Sequence, residues 1–255
     1  MRKLIAIISA LLLVVCLSQC KKKTIIPDNA PKPVTITLDV NDGSKVNVTP
    51  GTGEVVFENG DVIYVASGGK YVGKLTRQNS IFSGEITGAV ENDSLYFYFL
   101  GNKTPYNSLK TDGSTAYITV DIIDQTNKYP VISAAHADQL YTGAGLYTAR
   151  LANKCALVKF NVTTSSSSPT IITGMNNRVR VDFSTANVGT FTPGIVNDGM
   201  IGLKAGGGDQ WAILLPQSAV GAGSENSAYS NDKLYTGIRG AVPAIKNNDY
   251  ITTPI

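Results

Sequence analysis

Alternation of apolar and polar residues runs through most of the chain after residue 33, and this pattern decides the fold class. Residues 34–40 alternate Val, Ile, Leu and Val with Thr and Asp, and residues 178–183 alternate Arg and Asp with Val and Phe. Successive side chains of a β-strand point to opposite faces, so both segments are predicted to be half-buried strands. No strong helical periodicity is present in this part of the chain. Many short strands separated by Gly, Asn and Ser turns predict an all-β fold made of β-sandwiches.

One predicted strand differs from the others because it is apolar on both faces. It spans residues 95–100, with the sequence LYFYFL. A strand of this kind belongs in a sheet that is covered on both sides. We therefore expect this segment at the centre of the fold.

The N-terminus has the features of a secretory signal. Arg2 and Lys3 precede an apolar run at 4–17, which is too short for a comfortable membrane span. The next residues, Leu-Ser-Gln-Cys at 17–20, resemble the lipobox of bacterial lipoproteins, although Gln19 stands where a small residue is usual. The resemblance implies cleavage after a signal peptide at 1–19 and a lipid on Cys20.

A short tether is predicted to follow the lipidated cysteine. Residues 20–33 contain three lysines in a row and three prolines. Pro-rich segments are stiff and extended, and lysines next to a lipid anchor lie against anionic headgroups. We expect this segment to hold a folded body away from a membrane.

Charge and cysteine content exclude several classes of protein. The formal net charge is +3, and removal of Arg2 and Lys3 with the signal leaves +1. A body without a basic excess gives no support to nucleic-acid binding. Of the three cysteines, the signal removes Cys16 and lipid occupies Cys20, so Cys155 has no partner for an intrachain disulfide and is expected to be a small packed residue.

Residues that could perform catalysis are scarce. His136 is the only histidine, so no multi-histidine metal site can form, and no G-x-S-x-G motif presents a serine. We expect His136 to be a loop or partly packed residue. The sequence therefore predicts a protein that is not an enzyme and that has no cofactor and no metal site.

A short internal repeat raises the question whether the chain contains two tandem domains. The segment DQLYTG at 138–143 recurs as DKLYTG at 232–237, a shift of 94 positions. This spacing is about the length of one β-sandwich domain. A chance match of common residues explains this repeat equally well.

Four groups of segments, in order, resemble the fimbrillin-like proteins of Bacteroidetes-type bacteria, which are lipoprotein subunits and tip components of fimbriae. The segments are the lipobox; FENGDVIYV with FSGEIT and LYFYFLG; ARLANKCALVKFNV; and WAILLPQ with AIKNNDYITTPI. The resemblance implies two tandem transthyretin-like or Ig-like β-sandwich domains, at 34–145 and 146–255. It also implies a structural or adhesive role without catalysis, and a location at the outer membrane, lipid-anchored and surface-exposed or within fimbriae.

The resemblance further implies assembly by strand exchange with other fimbrial subunits. In the family, a protease trims the N-terminal strand after a basic residue, and a strand of another subunit fills the groove. Lys45 matches that residue by position, whereas Arg77 lies deeper in the domain. Residues 36–40 and 250–255 are the candidate exchangeable strands. Host or bacterial surface glycans and proteins are candidate ligands.

An alternative hypothesis uses the same signal, tether and sandwiches. The chain would then be a glycan-binding outer-membrane lipoprotein of a polysaccharide-uptake system. This hypothesis predicts that Trp211 and some tyrosines are exposed together on one face, as a platform for sugar stacking. Trp211, Tyr96 and Tyr98 all lie in apolar runs, however, which favours core positions for the three side chains.

Overall fold

The computed structural model describes residues 31–40, 57–101, 109–112, 115–126, 131–162, 169–183, 190–195, 199–206, 208–216, 225–230, 233–238 and 250–254. These residues form nineteen strands and no α-helix, which confirms the all-β class. The strands are β1 Pro33–Val40, β2 Val62–Ser67, β3 Lys70–Gln78, β4 Ile81–Thr87, β5 Ser94–Phe99, β6 Lys110–Asp112, β7 Thr115–Asp121, β8 Ser133–Leu140, β9 Gly145–Ala149, β10 Ala152–Asn153, β11 Ala156–Val162, β12 Pro169–Ile172, β13 Arg178–Asp182, β14 Thr190–Gly194, β15 Ile201–Ala205, β16 Gly208–Leu214, β17 Glu225–Ser230, β18 Lys233–Ile238 and β19 Tyr250–Pro254.

The first half of the chain builds a sheet that closes on itself. Its strand order is β8-β5-β2-β3-β4-β1-β9, and β9 pairs with β8 to complete the circle. We call these seven strands the ring. The short strand β10 adds to β8 beside β9. Closure removes the open edges that would otherwise invite pairing with other chains.

Two glycines allow the main chains of β3 and β4 to approach each other closely. A Cβ atom on Gly84 would lie 2.4 Å from the carbonyl oxygen of Lys74. A Cβ atom on Gly73 would lie 2.6 Å from the carbonyl oxygen of Glu85. Both approaches are far inside van der Waals contact, so these positions require glycine because of space.

The interior of the ring is a tightly buried apolar core. Phe82 and Phe99 are almost fully excluded from solvent, and Phe57 packs edge-on against both, with ring centroids 5.1 and 5.3 Å away. Aromatic pairs prefer this edge-to-face arrangement. Other fully buried side chains of this interior belong to Ile36, Leu38, Ile63, Val65, Leu75 and Phe97.

The outer face of β5 is covered by a second sheet, which confirms the prediction that this strand is buried on both sides. That sheet has the order β14-β13-β7-β6. Phe183, just after β13, packs edge-on against Tyr98 at 4.9 Å and lies within 6.3 Å of the rings of Tyr64 and Tyr71. All six residues from Leu95 to Leu100 are buried.

Two further sheets, β16-β11-β19 and β15-β12-β17-β18, complete the described part of the chain. A short segment after β7 joins three of the sheets. The buried side chain of Gln125 donates hydrogen bonds to the carbonyl oxygens of Ile122 and Ile213 and accepts one from the amide of Ile213. The amide of Gln125 donates to the carbonyl of Gly202 in β15. Gln125 thus takes the place of a neighbouring strand beside β16.

The sheets do not separate at the predicted domain junction. β7 precedes residue 145 but pairs with β13, in the register Val120↔Val179. β10 follows residue 145 but pairs with β8. Residues Pro33–Ile255 form one compact unit. Strand pairing thus crosses residue 145. The predicted domain boundaries at residues 145 and 146 stay a prediction.

No helix among the described residues is long and apolar enough to span a lipid bilayer.

Candidate strand-exchange site

The N-terminal strand β1 lies in a groove between two strands of the ring. On one side it pairs antiparallel with β4, in the register Leu38↔Phe82. On the other side it pairs parallel with β9, in the register Leu38↔Tyr147. A strand held on both sides by main-chain pairing is structurally equivalent to an inserted peptide, because main-chain bonds supply affinity whatever chain provides them.

Alternate side chains of β1 fill the interior of the ring. Ile36 and Leu38 are fully buried, whereas Thr35 and Asp39 are exposed. Burial of an aliphatic side chain of this size contributes about 1.5–3 kcal/mol. The alternation seen in the sequence therefore corresponds to two apolar anchors between polar, outward-facing positions.

Ile36 has a glycine as its register partner on both sides. Ile36 pairs with Gly84 of β4 and with Gly145 of β9. A Cβ atom on Gly84 would meet Lys74 and Leu75 of β3, whereas a Cβ atom on Gly145 would meet nothing within 4 Å. The hydroxyl of Thr37 donates to the carbonyl of Gly145 over 3.3 Å, and the hydroxyl of Ser83 donates to the carbonyl of Ile36 over 3.5 Å.

The sequence pattern predicts β1 but not these partners. The signal that could have indicated Gly84 is a glycine inside a strand pattern, FSGEIT, which often marks a close backbone approach. No such signal exists for Gly145, because it depends on a parallel pairing between segments more than 100 positions apart.

Side-chain hydrogen bonds supplement the main-chain pairing between β8 and β9. One main-chain pair, Ala137↔Ala149, is formed there. Beyond it, the side-chain amide of Gln139 donates to the carbonyl of Leu146 over 2.7 Å, and the hydroxyl of Thr148 donates to the carboxylate of Asp138 over 2.7 Å. The wall of the groove formed by β9 therefore depends on β1 as well as on β8.

The other candidate exchangeable strand lies at a sheet border. β19 pairs parallel with β11, in the register Leu157↔Tyr250, at the end of the order β16-β11-β19. The predicted segment 250–255 therefore contains a strand. The predicted lipidation site Cys20 and processing site Lys45 both lie outside the described residues.

The other residues considered for chemistry are structural in character. Cys155 is buried, and burial raises the pKa of its thiol from 9.0 to about 12. His136 lies on β8 and not in a loop, and its exposed side chain has Nδ1 at 2.9 Å from the carbonyl oxygen of Ala137. The sequence missed β8 there because its alanines hide the strand alternation. Among the described residues, no group of three or more His, Cys, Asp or Glu side chains is arranged to hold a metal ion.

Tyr96 and Tyr98 do not belong to an exposed platform of the kind that the glycan hypothesis predicts. Tyr96 and Tyr98 are buried, and burial raises the pKa of the Tyr98 hydroxyl. Trp211 is partly exposed on β16, where the ammonium of Lys159 lies 5.9 Å from the centre of its ring. The core positions predicted for the two tyrosines are confirmed, whereas the indole of Trp211 lies on a sheet surface.

Comparison with known structures places the fold. A structure from Bacteroides uniformis described as a "putative cell adhesion protein" matches with a TM-score of 0.56 at 16% identity, covering 88% of this chain and 92% of that chain. One from Bacteroides ovatus with the same description has a TM-score of 0.49 at 14% identity, covering 89% and 92%. The tip fimbrial protein Mfa3 from Porphyromonas gingivalis has a TM-score of 0.41 at 7% identity, covering 88% and 94%.

No family model and no curated protein matches the sequence. The likeness to the Bacteroides uniformis structure, at 16% identity, establishes a shared fold. The resemblance of this chain to fimbrillin-like proteins of Bacteroidetes is therefore confirmed at the level of the fold.

Proposed function

We propose that this chain is a cell-surface lipoprotein of fimbrillin type, a structural subunit of fimbriae or an accessory adhesin. Lipid on Cys20 anchors it to the outer membrane, and strand exchange with other subunits assembles it. The role requires no catalytic centre and no cofactor. Two tandem β-sandwich domains of the transthyretin-like class, with the ring in the first, belong to the same proposal.

The observation that carries the proposal is the groove between β4 and β9 that holds β1. This strand is the first of the fold, and its removal would expose the paired edges of β4 and β9 together with the interior around Ile36 and Leu38. An open groove with two hydrogen-bonding edges and an apolar floor is the kind of site that binds an extended strand. The cognate strand has an apolar residue at every second position.

Lys45 is the residue at which the proposed trimming occurs. It follows Val40, the last residue of β1, by five positions. Cleavage there separates β1 from the remainder of the ring, whereas cleavage at Lys32 leaves β1 attached. The two lysines thus lie on opposite sides of the strand that has to leave.

Limited digestion of the full mature chain with a lysine-specific protease tests the proposal. We expect a ladder of oligomers on unheated denaturing gels for the wild type and for Lys32→Gln. Lys45→Gln is expected to stay monomeric under the same conditions. An unchanged ladder for Lys45→Gln, or no ladder for the trimmed wild type, would count against strand exchange at this site.

A further inference from the structure

The two neighbours of β9 in the ring hold it unequally. β9 pairs with β1 along its whole length, in a parallel register that begins at Ile36↔Gly145. With β8 it forms a single main-chain pair, Ala137↔Ala149. The strand that is to be exchanged is therefore also the main support of one wall of its own groove.

β9 is attached to the ring before and after its length without the help of β1. The hydroxyl of Tyr147 donates to the carbonyl of Gly143 over 2.7 Å and accepts from the amide of Thr142, which ties the strand to the β8–β9 turn. After the strand, β10 pairs with β8 in the register Ala152↔Ala134. Loss of β1 would leave β9 attached at the turn and at β10, so its position between these points depends on β8.

A single antiparallel register describes how β8 lies beside both β9 and β10. The pair Ala137↔Ala149 follows the same register as the pairs of β10, which places Thr148 directly opposite Asp138. Directly opposite residues on antiparallel strands have Cβ atoms about 4.5–5.5 Å apart, so their side chains can interact. β9 thus runs in line with β8 although main-chain pairing between the two strands ends at Ala149.

Two side-chain hydrogen bonds join β9 to β8 where the main-chain pairing has ended. The hydroxyl of Thr148 donates to the carboxylate of Asp138 over 2.7 Å. The side-chain amide of Gln139 donates to the carbonyl of Leu146 over 2.7 Å. Asp138 and Gln139 are exposed on β8, which is not a neighbour of β1 in the ring. We call these two bonds the latch.

We propose that the latch keeps β9 in position while the groove is empty, so that an incoming strand finds both walls in place. This rests on the strand exchange of the proposed function, for which it names Asp138 and Gln139 as positioning residues. A chain without the latch has β9 displaced for part of the time. The apparent affinity for a strand then falls with the fraction of grooves that are competent.

The two β8 residues are sharper probes of the latch than Thr148. Thr148 is the register partner of Asp39 in β1, so a change there alters the latch and the neighbourhood of the incoming strand together. Changes in direct contacts act mainly on the rate of dissociation. A residue that only positions β9 acts on the rate of association, because it sets the fraction of competent grooves.

Peptide-binding kinetics test the proposal. The full mature chain is trimmed by limited digestion at Lys45 and separated from the released segment. The probe is a fluorescein-labelled peptide with the sequence of β1, residues 33–40. Stopped-flow anisotropy measures its rates of association and dissociation.

The variants remove the latch or preserve it. The double variant Asp138→Ala with Gln139→Met removes both hydrogen bonds. Asp138→Asn is the conservative variant, since its amide oxygen still accepts from the hydroxyl of Thr148. Gln78→Met is the matched control for the glutamine change, because Gln78 is exposed on β3, away from the groove.

We expect the double variant to associate with the peptide about five-fold more slowly than the wild type, with an unchanged rate of dissociation. Asp138→Asn and Gln78→Met are expected to associate at the wild-type rate. Equal association rates for the double variant and the wild type would overturn the proposal. A change confined to dissociation would overturn it as well.

Hydrogen exchange separates the latch from a general structural role. In the untrimmed chain, residues 145–149 should be equally protected in the wild type and the double variant, because β1 holds β9 there. After trimming, these residues should exchange faster in the double variant, as measured by mass spectrometry of the peptide that contains β9. Equal exchange in the trimmed chains, or faster exchange in the untrimmed variant, would contradict the latch.

The wild type alone reports on the proposed function. A trimmed wild type that does not bind the peptide has no accessible groove, which refutes strand exchange at this site and the latch with it. Binding by the wild type with the same kinetics in the double variant refutes the latch alone.

Discussion

Gly84 shows how much a single residue without a side chain determines in this fold. It lets β3 cross β4 closely, and on its other side it faces Ile36 of β1. The same position therefore lies close to the main chain of β3 and pairs with β1. Glycine in a strand usually weakens the strand, but here it permits contacts that no other residue would allow.

Gly84→Ala is expected to lower the free energy of unfolding by about 2–4 kcal/mol, because the new Cβ atom must displace the main chain of β3. The measurement is urea unfolding followed by circular dichroism. Gly194→Ala in β14 is the control, since a Cβ atom there meets nothing within 4 Å. It should change the free energy by no more than about 0.5 kcal/mol. Equal effects of the two changes would mean that the close crossing is absent.

Cys155 provides a prediction with a definite direction in pH. Burial raises the pKa of its thiol from 9.0 to about 12, so the folded protein keeps a proton that the unfolded chain releases. Its contribution to stability is complete below about pH 9 and is lost as the pH rises toward 12. The fall in unfolding free energy above pH 9 should therefore be smaller in Cys155→Ala than in the wild type.

Alkylation tests the burial of the Cys155 thiol by a second measurement. At pH 8 the native protein should leave Cys155 unmodified, and denaturant should make it react completely, because the thiolate is the reactive form. Mass spectrometry of the peptide that contains the residue measures both. Rapid modification of the native protein would contradict the buried position.

At the scale of the element, the segment 122–126 joins sheets that would otherwise meet without main-chain pairing. Its key residue is Gln125, whose side-chain amide satisfies both the N–H and the C=O of Ile213. Edge groups left without a partner after burial cost about 1–3 kcal/mol each. A side chain thus satisfies the main-chain groups of Ile213 on the side of β16 where none of the described strands pairs.

Gln125→Leu keeps the volume and removes the three hydrogen bonds, so we expect a loss of about 2–4 kcal/mol in unfolding free energy. Gln78→Leu is the control, because Gln78 is exposed at the end of β3. It should change stability by less than about 0.5 kcal/mol. Thermal and urea unfolding of both variants provide the comparison. A neutral Gln125→Leu would show that water replaces the amide.

Strands with clear alternation or doubled hydrophobicity could be predicted from the sequence, including β1, β5, β7, β11 and β13. β8 could not, because its sequence SAAHADQL is rich in alanine and lacks the large β-formers that mark a strand. β1 itself was predicted as a strand, but its pairing with β4 and β9 was not. Gly84 has a local signal, the glycine inside the strand pattern FSGEIT, whereas Gly145 becomes visible only through register, which depends on the whole sheet.

At the scale of the whole molecule, the two halves of the chain share structure. β7 from the first half pairs with β13 from the second, and Phe183 packs against Tyr98 of the ring. These connections cross the predicted junction at 145. A local repeat in the sequence cannot indicate such crossings, since pairing between distant strands leaves no short-range signal.

We expect the two halves to unfold together. Trp211 is the only tryptophan and lies in the second half, so its fluorescence reports on that half, whereas near-ultraviolet circular dichroism of the buried tyrosines reports mainly on the ring. Coincident transitions of both probes in urea are the expected result. Tryptophan fluorescence that changes at a clearly different urea concentration would show that the halves are independent domains in solution.

The pairing of β1 between β4 and β9 also has a mechanical consequence. The tether enters at the start of this strand, and the chain leaves the ring for its second half at the opposite end. A pull applied between the start of β1 and the second half of the chain would run along the axis of β1. Its hydrogen bonds to β4 and β9 lie across that axis, so they would be loaded together in shear instead of being broken one after another. The same strand that could be exchanged sideways would thus resist being drawn out lengthwise.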